Sequence, residues 1–195
     1  MDELPPDFYA RDVDEVARAL IGVTLTVGGV GGPIVETEAY DMADPASHSF
    51  IGRTARNAAM FGPPGHAYVY RIYGLHHCLN IVCGTPGSAV LIRAIEPRQG
   101  LDVMQTRRGA RIAPRLLCAG PGRLCAALAI GRDLDGVSLT SPPFLLTQAS
   151  GQPDIVSGPR IGISQAVDRQ RRYGARHSPW LSRPFPNESA ASQHR

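Results

Sequence analysis

Apolar and polar residues alternate along the chain in patterns typical of one short helix followed by strands. Apolar residues recur at helical spacing after Asp12, a residue type that favours helix starts, and this predicts a helix over residues 13–21. Strand-like composition predicts strands over residues 23–28 and 33–40, with the glycine-rich turn VGGVGG between them. The first forty residues are therefore expected to form a helix and a β-hairpin.

The middle of the chain has the pattern of an antiparallel meander. Between residues 67 and 95, the segments AYVYRIY, CLNIVC and SAVLIRAI are separated by the turn sequences GLHH and GTPG. Residues 41–66 are polar and turn-forming and are expected to form a long surface loop, a length that is often functional. The other predicted elements are helices over 98–107 and 121–130 and strands over 137–148 and 155–163.

The mixture of helices and mainly antiparallel strands predicts a mixed α/β (α+β) fold. No internal repeat and no second core pattern interrupts the chain, so residues 1–183 are expected to form a single domain. Residues 184–195 are polar and aperiodic and are predicted to be a disordered tail.

The strand VETEAY carries two acids and an aromatic residue. Strict alternation predicts Ile34, Glu36, Glu38 and Tyr40 on one face, and Val35, Thr37 and Ala39 on the other. Because isolated buried carboxylates are costly, these acids require partners. Arg93, in the apolar run AVLIRAI, is a candidate, since a buried arginine also needs a carboxylate on a neighbouring strand.

Aromatic residues accompany this possible ion pair. Alternation places Tyr68, Tyr70 and Ile72 on one face of a strand and Val69, Arg71 and Tyr73 on the other. A carboxylate, an arginine and stacking aromatics together favour a pocket for a planar ligand such as an unstacked base, although each tyrosine taken alone is explained by packing in the sheet.

Composition excludes several kinds of chemistry. All 20 basic residues are arginine, so neither a lysine Schiff base nor the lysine of a phosphate-binding P-loop is available. Cys78, Cys83, Cys118 and Cys125 lie in apolar runs and are expected to be buried thiols, and no metal site or cofactor is predicted. The absence of a long apolar run and of a signal-peptide pattern predicts a soluble cytoplasmic protein that does not associate with membranes.

The chain resembles the alkyladenine (methylpurine, 3-methyladenine) DNA glycosylase family of base-excision repair through three ordered runs, VETEAYDMADPASHSFIGRTARNAAMFGPPGHAYVYRIYGLHHCLNIVC, AVLIRAIEP and GPGRLCAALAI. The resemblance spans residues 5 to 183. It implies a curved sheet with flanking helices, a β-hairpin that probes DNA, and a monomer, nucleoid-associated if bacterial. The implied activity is excision of damaged purines, such as 3-methyladenine and hypoxanthine, from double-stranded DNA after nucleotide flipping.

The resemblance also implies roles for individual residues. Glu38 matches the general base for the attacking water, and Arg93 matches the arginine beside it. Tyr73 matches the side chain that fills the gap left in the DNA. The residues that match the base-binding positions are Tyr40, His48, Tyr70 and Asn80, the last of which hinders guanine.

The sequence leaves the roles of several residues open. At the hairpin, His76 and His77 follow Leu75 and either contact phosphates or are solvated turn residues. Glu36 is expected to be a structural carboxylate. Arg169, Arg171, Arg172 and Arg176 either contact phosphates or form a solvated face. The alternatives to a glycosylase are a damaged-DNA-binding protein without turnover and an RNA-binding or formyltransferase-like protein.

Overall fold

Antiparallel strands form a sheet that carries most of the residues singled out above. The computed structural model describes residues 2–72 and 74–186. Its strands are β1 (Thr24–Val27), β2 (Val30–Tyr40), β3 (Ala67–Ile72), β4 (His76–Val82), β5 (Ala89–Ile95), β6 (Phe144–Thr147), β7 (Ile155–Gly158) and β8 (Arg172–Ala175).

The sheet has the order β3-β4-β5-β2-β1-β6, and β8 adds to β2 and carries β7 at its other edge. Every pairing is antiparallel. Strand β2 pairs with β1 through its first residues and with β5 and β8 through its last ones, so the sheet curls about this long strand. The predicted α+β fold with a curved, mainly antiparallel sheet is confirmed.

The helices cover the sheet and enclose the core. They are α1 (Val13–Ala19), α2 (Leu101–Arg108), α3 (Pro114–Leu117) and α4 (Pro121–Leu128), with 3-10 turns at Pro6–Ala10, Ala58–Phe61 and Arg132–Leu134. Helix α1 packs on β2 and β5, and α4 packs on β4 and β5. Side chains such as Val16, Ile92 and Leu124 are fully buried between them, and each such burial stabilises the fold by about 1.5–3 kcal/mol. In the described part of the chain no helix has the length and apolar character needed to span a membrane.

The hairpin between β1 and β2 turns more tightly than predicted. Val27 pairs directly with Val30, so Gly28 and Gly29 form the whole turn. Both have positive φ, at +57° and +79°, which glycine adopts without strain and which matches the twist of a two-residue hairpin. The residues after this turn therefore belong to β2 rather than to a loop.

Strand β2 also departs from strict alternation. A register shift occurs on each side of Glu36 in the pairing with β5, which marks a β-bulge. Because of the bulge, Ile34 packs in the main core together with Ala39, and the predicted placement of Ile34 beside Glu36 is wrong. Glu36 and Glu38 still share a face, since both contact the same guanidinium.

The later part of the chain contains the largest errors of prediction. The strand expected over residues 137–148 covers only Phe144–Thr147, and the one expected over 155–163 ends at Gly158. Strand β8 and helix α3 were not predicted. Phe185 lies in the predicted tail, yet its side chain is buried with Val156 and Leu181, so the packed structure continues past residue 183. Residues 187–195 of that tail lie outside the described residues.

Candidate active site

A cavity of about 520 Å³ opens on the face of the sheet that carries the acids. This volume lies within the range of small-molecule sites. Six parts of the chain surround it: β2, the β3–β4 hairpin, β5, the loop after β2, the start of α4 and the segment after β7. Among the residues that line it are Glu38, Tyr40, His48, Arg56, Tyr68, Tyr70, Ile72, Asn80, Arg93 and Ile161.

Glu38 is the fully buried carboxylate of this cavity. Its Oε1 accepts a hydrogen bond from the backbone amide of Ile161 at 2.8 Å. Its Oε2 accepts one from the Tyr40 hydroxyl at 2.8 Å and lies 3.2 Å from Nη1 of Arg93. These contacts hold the carboxylate in one orientation. A carboxylate offers about four acceptor positions, and one position on Oε1 has no partner among the described residues.

Arg93 bridges the two acids of β2. Its Nε lies 3.3 Å from Oε1 of Glu36, while its Nη1 faces Glu38. Burial alone would lower the pKa of the Arg93 guanidinium, but the charges of Glu38 and Glu36 raise it above its ordinary value. The predicted pairing of this buried arginine with strand carboxylates is present in the structure.

Glu36 is held by the C-terminal part of the chain and does not line the cavity. Its Oε1 accepts hydrogen bonds from Nε of Arg172 at 2.7 Å and from Oγ of Ser182 at 2.8 Å, and its Oε2 accepts one from the Ser182 amide at 2.5 Å. Glu36 therefore ties β8 and the segment after it to Arg93. This geometry agrees with the structural role expected for it.

The Tyr40 ring lies against a buried cation. The guanidinium carbon of Arg160 is 4.6 Å from the centre of the ring. Arg160 makes a double hydrogen bond with the buried carboxylate of Asp44 and donates to the Ala39 carbonyl at 3.0 Å. Burial, followed by the charge of Glu38, raises the pKa of the Tyr40 hydroxyl, so it stays protonated and donates to Glu38.

Three rings line another side of the cavity. Nδ1 of His48 lies 2.9 Å from the Tyr68 hydroxyl, and the His48 and Tyr70 rings meet edge to face with centres 4.5 Å apart. Tyr68, Tyr70 and Ile72 all face the cavity, as alternation predicted. Desolvation and the nearby charge of Arg56 lower the pKa of His48, which favours the neutral ring.

Asn80 and Cys78 complete the cavity on β4. The Asn80 side-chain nitrogen donates to the Tyr68 carbonyl at 3.0 Å, across the pairing of β4 with β3. All four cysteines are free and buried, as predicted. Burial raises the pKa of the Cys83 and Cys118 thiols to about 12, so they are protonated at neutral pH.

The hairpin residues have different positions from those expected. Leu75 is exposed in the turn, but His76 and His77 are the first residues of β4, so the reading of the histidines as turn residues is wrong. His76 is exposed and lies beside Gly122 at the start of α4. Tyr73 lies outside the described residues.

The C-terminal arginines mostly face carboxylates within the protein. Arg171 lies 2.8 Å from both Asp14 and Asp41, and Arg176 lies 2.7 Å from Asp154. Arg172 is buried against Glu36 and the Phe185 ring. Arg169 and Arg176 are exposed, and Arg169 lies 4.0 Å from Asp44 and donates to the Ala43 carbonyl at 3.4 Å. Neither the phosphate-contact reading nor the solvated-face reading fits Arg171 and Arg172.

Several residues that shape the cavity were missed from sequence. Arg160 lies in an apolar segment, the same signal that identified Arg93, and it could have been found by the same reasoning. Tyr68 was assigned to the correct face, but its bond to His48 was not foreseen. The hydrogen bond from the Ile161 amide could not be predicted, because a backbone N–H is common to every residue type except proline.

Comparisons with known proteins cover nearly the whole chain. The family model described as Methylpurine-DNA glycosylase (MPG) matches residues 7–179. A protein of Nitrosospira multiformis named "Putative 3-methyladenine DNA glycosylase" is 60% identical over 181 residues, which are 92% of this chain and 93% of that protein. Proteins of the same name from Rhizobium meliloti and Agrobacterium fabrum are 60% and 56% identical, over 92% and 94% of this chain and 96% and 94% of their own lengths. The region matched by the family model includes every cavity-lining residue described above.

Proposed function

The chain belongs to the methylpurine-DNA glycosylase family, and on this basis we propose that it hydrolyses the N-glycosidic bond of damaged purines, such as 3-methyladenine and hypoxanthine, in double-stranded DNA. One observation carries the proposal. Glu38 is a fully buried carboxylate, held by three contacts, that faces a cavity lined by aromatic rings. A purine that leaves the duplex would enter this cavity with its sugar beside Glu38.

Glu38 acts as the general base in the proposed reaction. A water bound at the open position of Oε1 gives a proton to Glu38 as its oxygen forms the bond to the sugar C1′. The bond from C1′ to the purine nitrogen breaks, and its electron pair leaves with the base. The sugar becomes cationic in the transition state, as in glycoside hydrolysis, and the carboxylate stabilises that charge. Arg93 balances Glu38 and holds it towards the cavity.

The rings of the cavity bind the flipped base. Extrusion of a nucleotide costs a few kcal/mol in lost pairing and stacking, and stacking against aromatic side chains offsets part of this cost. Tyr40 and Tyr70 provide such surfaces, and His48 contacts the base edge. Tyr73 fills the gap in the duplex, and Asn80 disfavours guanine through its exocyclic amine. Leu75, in the exposed hairpin turn, contacts the DNA beside Tyr73.

The protein acts as a monomer in the cytoplasm, without a cofactor, and leaves an intact abasic strand. A cationic base such as 3-methyladenine leaves without further protonation, whereas hypoxanthine is neutral and requires a proton. The chain has no lysine to form a Schiff base with the abasic sugar. We therefore assign it monofunctional glycosylase activity.

Release of free base from duplexes that contain one hypoxanthine or one 3-methyladenine tests the proposal. With enzyme in excess, the parent should release the base, and Glu38→Gln should reduce the rate by about 100- to 10,000-fold while lesion binding is kept. Glu96→Gln is the matched control, because Glu96 is a half-buried carboxylate that lies outside the cavity and pairs with the exposed Arg98. Binding by the parent without release would favour the alternative, a damaged-DNA-binding protein, and full activity of Glu38→Gln would refute the role of Glu38.

A further inference from the structure

Two apolar side chains project from the loop that carries His48. Phe50 is 51% exposed and Ile51 is 79% exposed, although Ser47 and Ser49, beside them, are buried. The buried serines are bonded to each other through their hydroxyls at 2.8 Å, and Ser49 also donates to the Gly87 carbonyl at 2.7 Å. The loop therefore anchors its polar residues inside the protein and presents its apolar residues to solvent, the reverse of the usual arrangement.

Asn57 holds this loop in one conformation. Asn57 is buried, and its side-chain nitrogen donates to the carbonyls of His48 at 2.8 Å and Gly52 at 3.0 Å. Its side-chain oxygen accepts from the amide and hydroxyl of Thr54. Both ends of the Phe50–Ile51 turn are thus fixed before any ligand binds. A pre-ordered apolar tip binds with a smaller entropy cost than a mobile one.

The loop lies at the mouth of the candidate active site, next to the hairpin. His48 and Arg56, at its two ends, both line the cavity. Arg56 also donates from Nη2 to the carbonyl of Arg71 at 3.2 Å, which ties the loop to β3. Leu75, in the hairpin turn that follows β3, is 74% exposed. Two exposed apolar tips therefore belong to segments that line the same cavity, the loop through His48 and Arg56 and the hairpin through Ile72.

Exposed arginines lie in the same loop and on the strand to which it is tied. Arg53 and Arg56 follow the tip in the same loop, and Arg71 lies on β3, where its carbonyl accepts a hydrogen bond from Arg56. All three are exposed, and none of them forms an ion pair within the described part of the chain. In contrast, Arg160 and Arg171 face carboxylates. A DNA groove is bordered by negatively charged phosphates and has apolar sugar surfaces inside. Arginines without ion-pair partners near an apolar tip complement such a groove.

We propose that Phe50 and Ile51 form a second apolar contact with duplex DNA, against the sugars that flank the flipped nucleotide in the minor groove. Arg53 and Arg56 bind the phosphates on either side of this contact. The inference rests on the proposed function, because it assumes that the lesion enters the neighbouring cavity. The contact adds to that of the neighbouring hairpin turn, stabilises the opened duplex and so favours the extrahelical base.

A binding experiment tests the contact. The parent is a Glu38→Gln protein, which prevents turnover, and its affinity for a duplex with one hypoxanthine is measured by fluorescence anisotropy at several salt concentrations. Phe50→Ser with Ile51→Ser should weaken binding by about 10- to 100-fold. The slope of log Kd against log salt should stay unchanged, because no phosphate contact is lost. Arg53→Ala should instead reduce that slope by about one.

The matched control is Leu101→Ser with Leu145→Ser. These residues are 39% and 42% exposed, and Leu145 lies on β6, at the opposite end of the sheet order from the hairpin. The control should bind like the parent. Phe50→Trp provides a direct readout, because its fluorescence emission should shift when the duplex is added. An unchanged emission, or parental affinity in the Phe50–Ile51 double variant, would overturn the contact.

The contact and the proposed function fail in different ways. Base release by the Glu38-containing protein together with parental affinity of the double variant would overturn the contact and leave the glycosylase activity standing. Duplex binding that depends on Phe50 and Ile51, without any base release, would support the contact and refute the activity. Self-association that the double variant abolishes, with DNA affinity unchanged, would assign the two side chains to an interface between copies of this chain and overturn the contact.

Discussion

The Tyr40 hydroxyl donates a 2.8 Å hydrogen bond to Oε2 of Glu38. The two side chains lie two residues apart on one face of β2, so the strand itself sets their spacing. The hydrogen bond joins two functional groups into one rigid unit. One is the Tyr40 ring, which would stack on a base, and the other is the Glu38 carboxylate, which would activate water. Arg160 beneath the ring and Arg93 beside the carboxylate hold this unit from two directions.

Tyr40→Phe keeps the ring and removes only the bond to Glu38. We expect single-turnover base release to slow by about tenfold, since a hydrogen bond to a charged group contributes about 1.5–3 kcal/mol and only part of that is expected to affect the transition state. Lesion affinity should change little, because the stacking surface remains. Tyr173→Phe is the control, as its hydroxyl bonds to Asp14 away from the cavity. Equal rates of base release in Tyr40→Phe and Tyr173→Phe would refute a role of the Tyr40–Glu38 hydrogen bond in the reaction.

Glu36→Ala should strongly destabilise the protein. The substitution leaves the buried guanidinium groups of Arg93 and Arg172 without their shared carboxylate. Removal of one partner from a buried ion pair costs about 3–5 kcal/mol. Glu96→Ala removes a carboxylate from an exposed pair with Arg98 and should cost no more than about 1 kcal/mol. Urea unfolding measures both, and similar losses in the two variants would contradict the assignment.

Asp44 should make stability depend on pH in acid. Burial alone would raise the pKa of Asp44, but hydrogen bonds from Arg160 and the Ala46 amide hold it below the ordinary value of 3.8. The folded protein thus binds this proton less tightly than the unfolded chain. The resulting stabilisation is complete above pH 3.8 and is lost as the pH falls through the lower folded pKa.

Unfolding free energies measured from pH 7 down to pH 3 test this dependence. Asp44→Asn should lower stability at neutral pH and reduce the slope in acid. Asp154→Asn, which alters an exposed pair with Arg176, should leave the slope close to that of the parent. If the unfolding free energy of Asp44→Asn fell with pH as steeply as that of the parent, other groups would cause the acid sensitivity.

The reaction should leave the DNA strand uncut. Because no lysine side chain is present, no side-chain Schiff base can form with the abasic sugar. Gel analysis should show strand breaks only after alkali or heat, and borohydride should trap no covalent protein–DNA adduct. A covalent protein–DNA adduct trapped by borohydride, or strand breaks without alkali or heat, would contradict monofunctional activity.

Much of the site could be predicted from local pattern and from family resemblance. Alternation placed Tyr68, Tyr70 and Ile72 on one face, and the cost of burying a charge predicted a carboxylate partner for Arg93. Alternation failed at Ile34, because the register of β2 against β5 shifts on each side of Glu36. Bulges depend on how two strands fit together, and they are not visible in one strand's composition.

The sequence by itself determined the alternation of β3, the presence of a glycine turn between β1 and β2, and the need of Arg93 for a carboxylate, because these follow from neighbouring residues and from the cost of buried charge. The tertiary structure decided which groups complete the site. Ile161 reaches Glu38 across 123 positions of the chain, and Arg172 reaches Glu36 across 136. Short segments such as RYGA carry little alternation of their own, and they become strands only because β2 offers them a partner for their backbone hydrogen bonds.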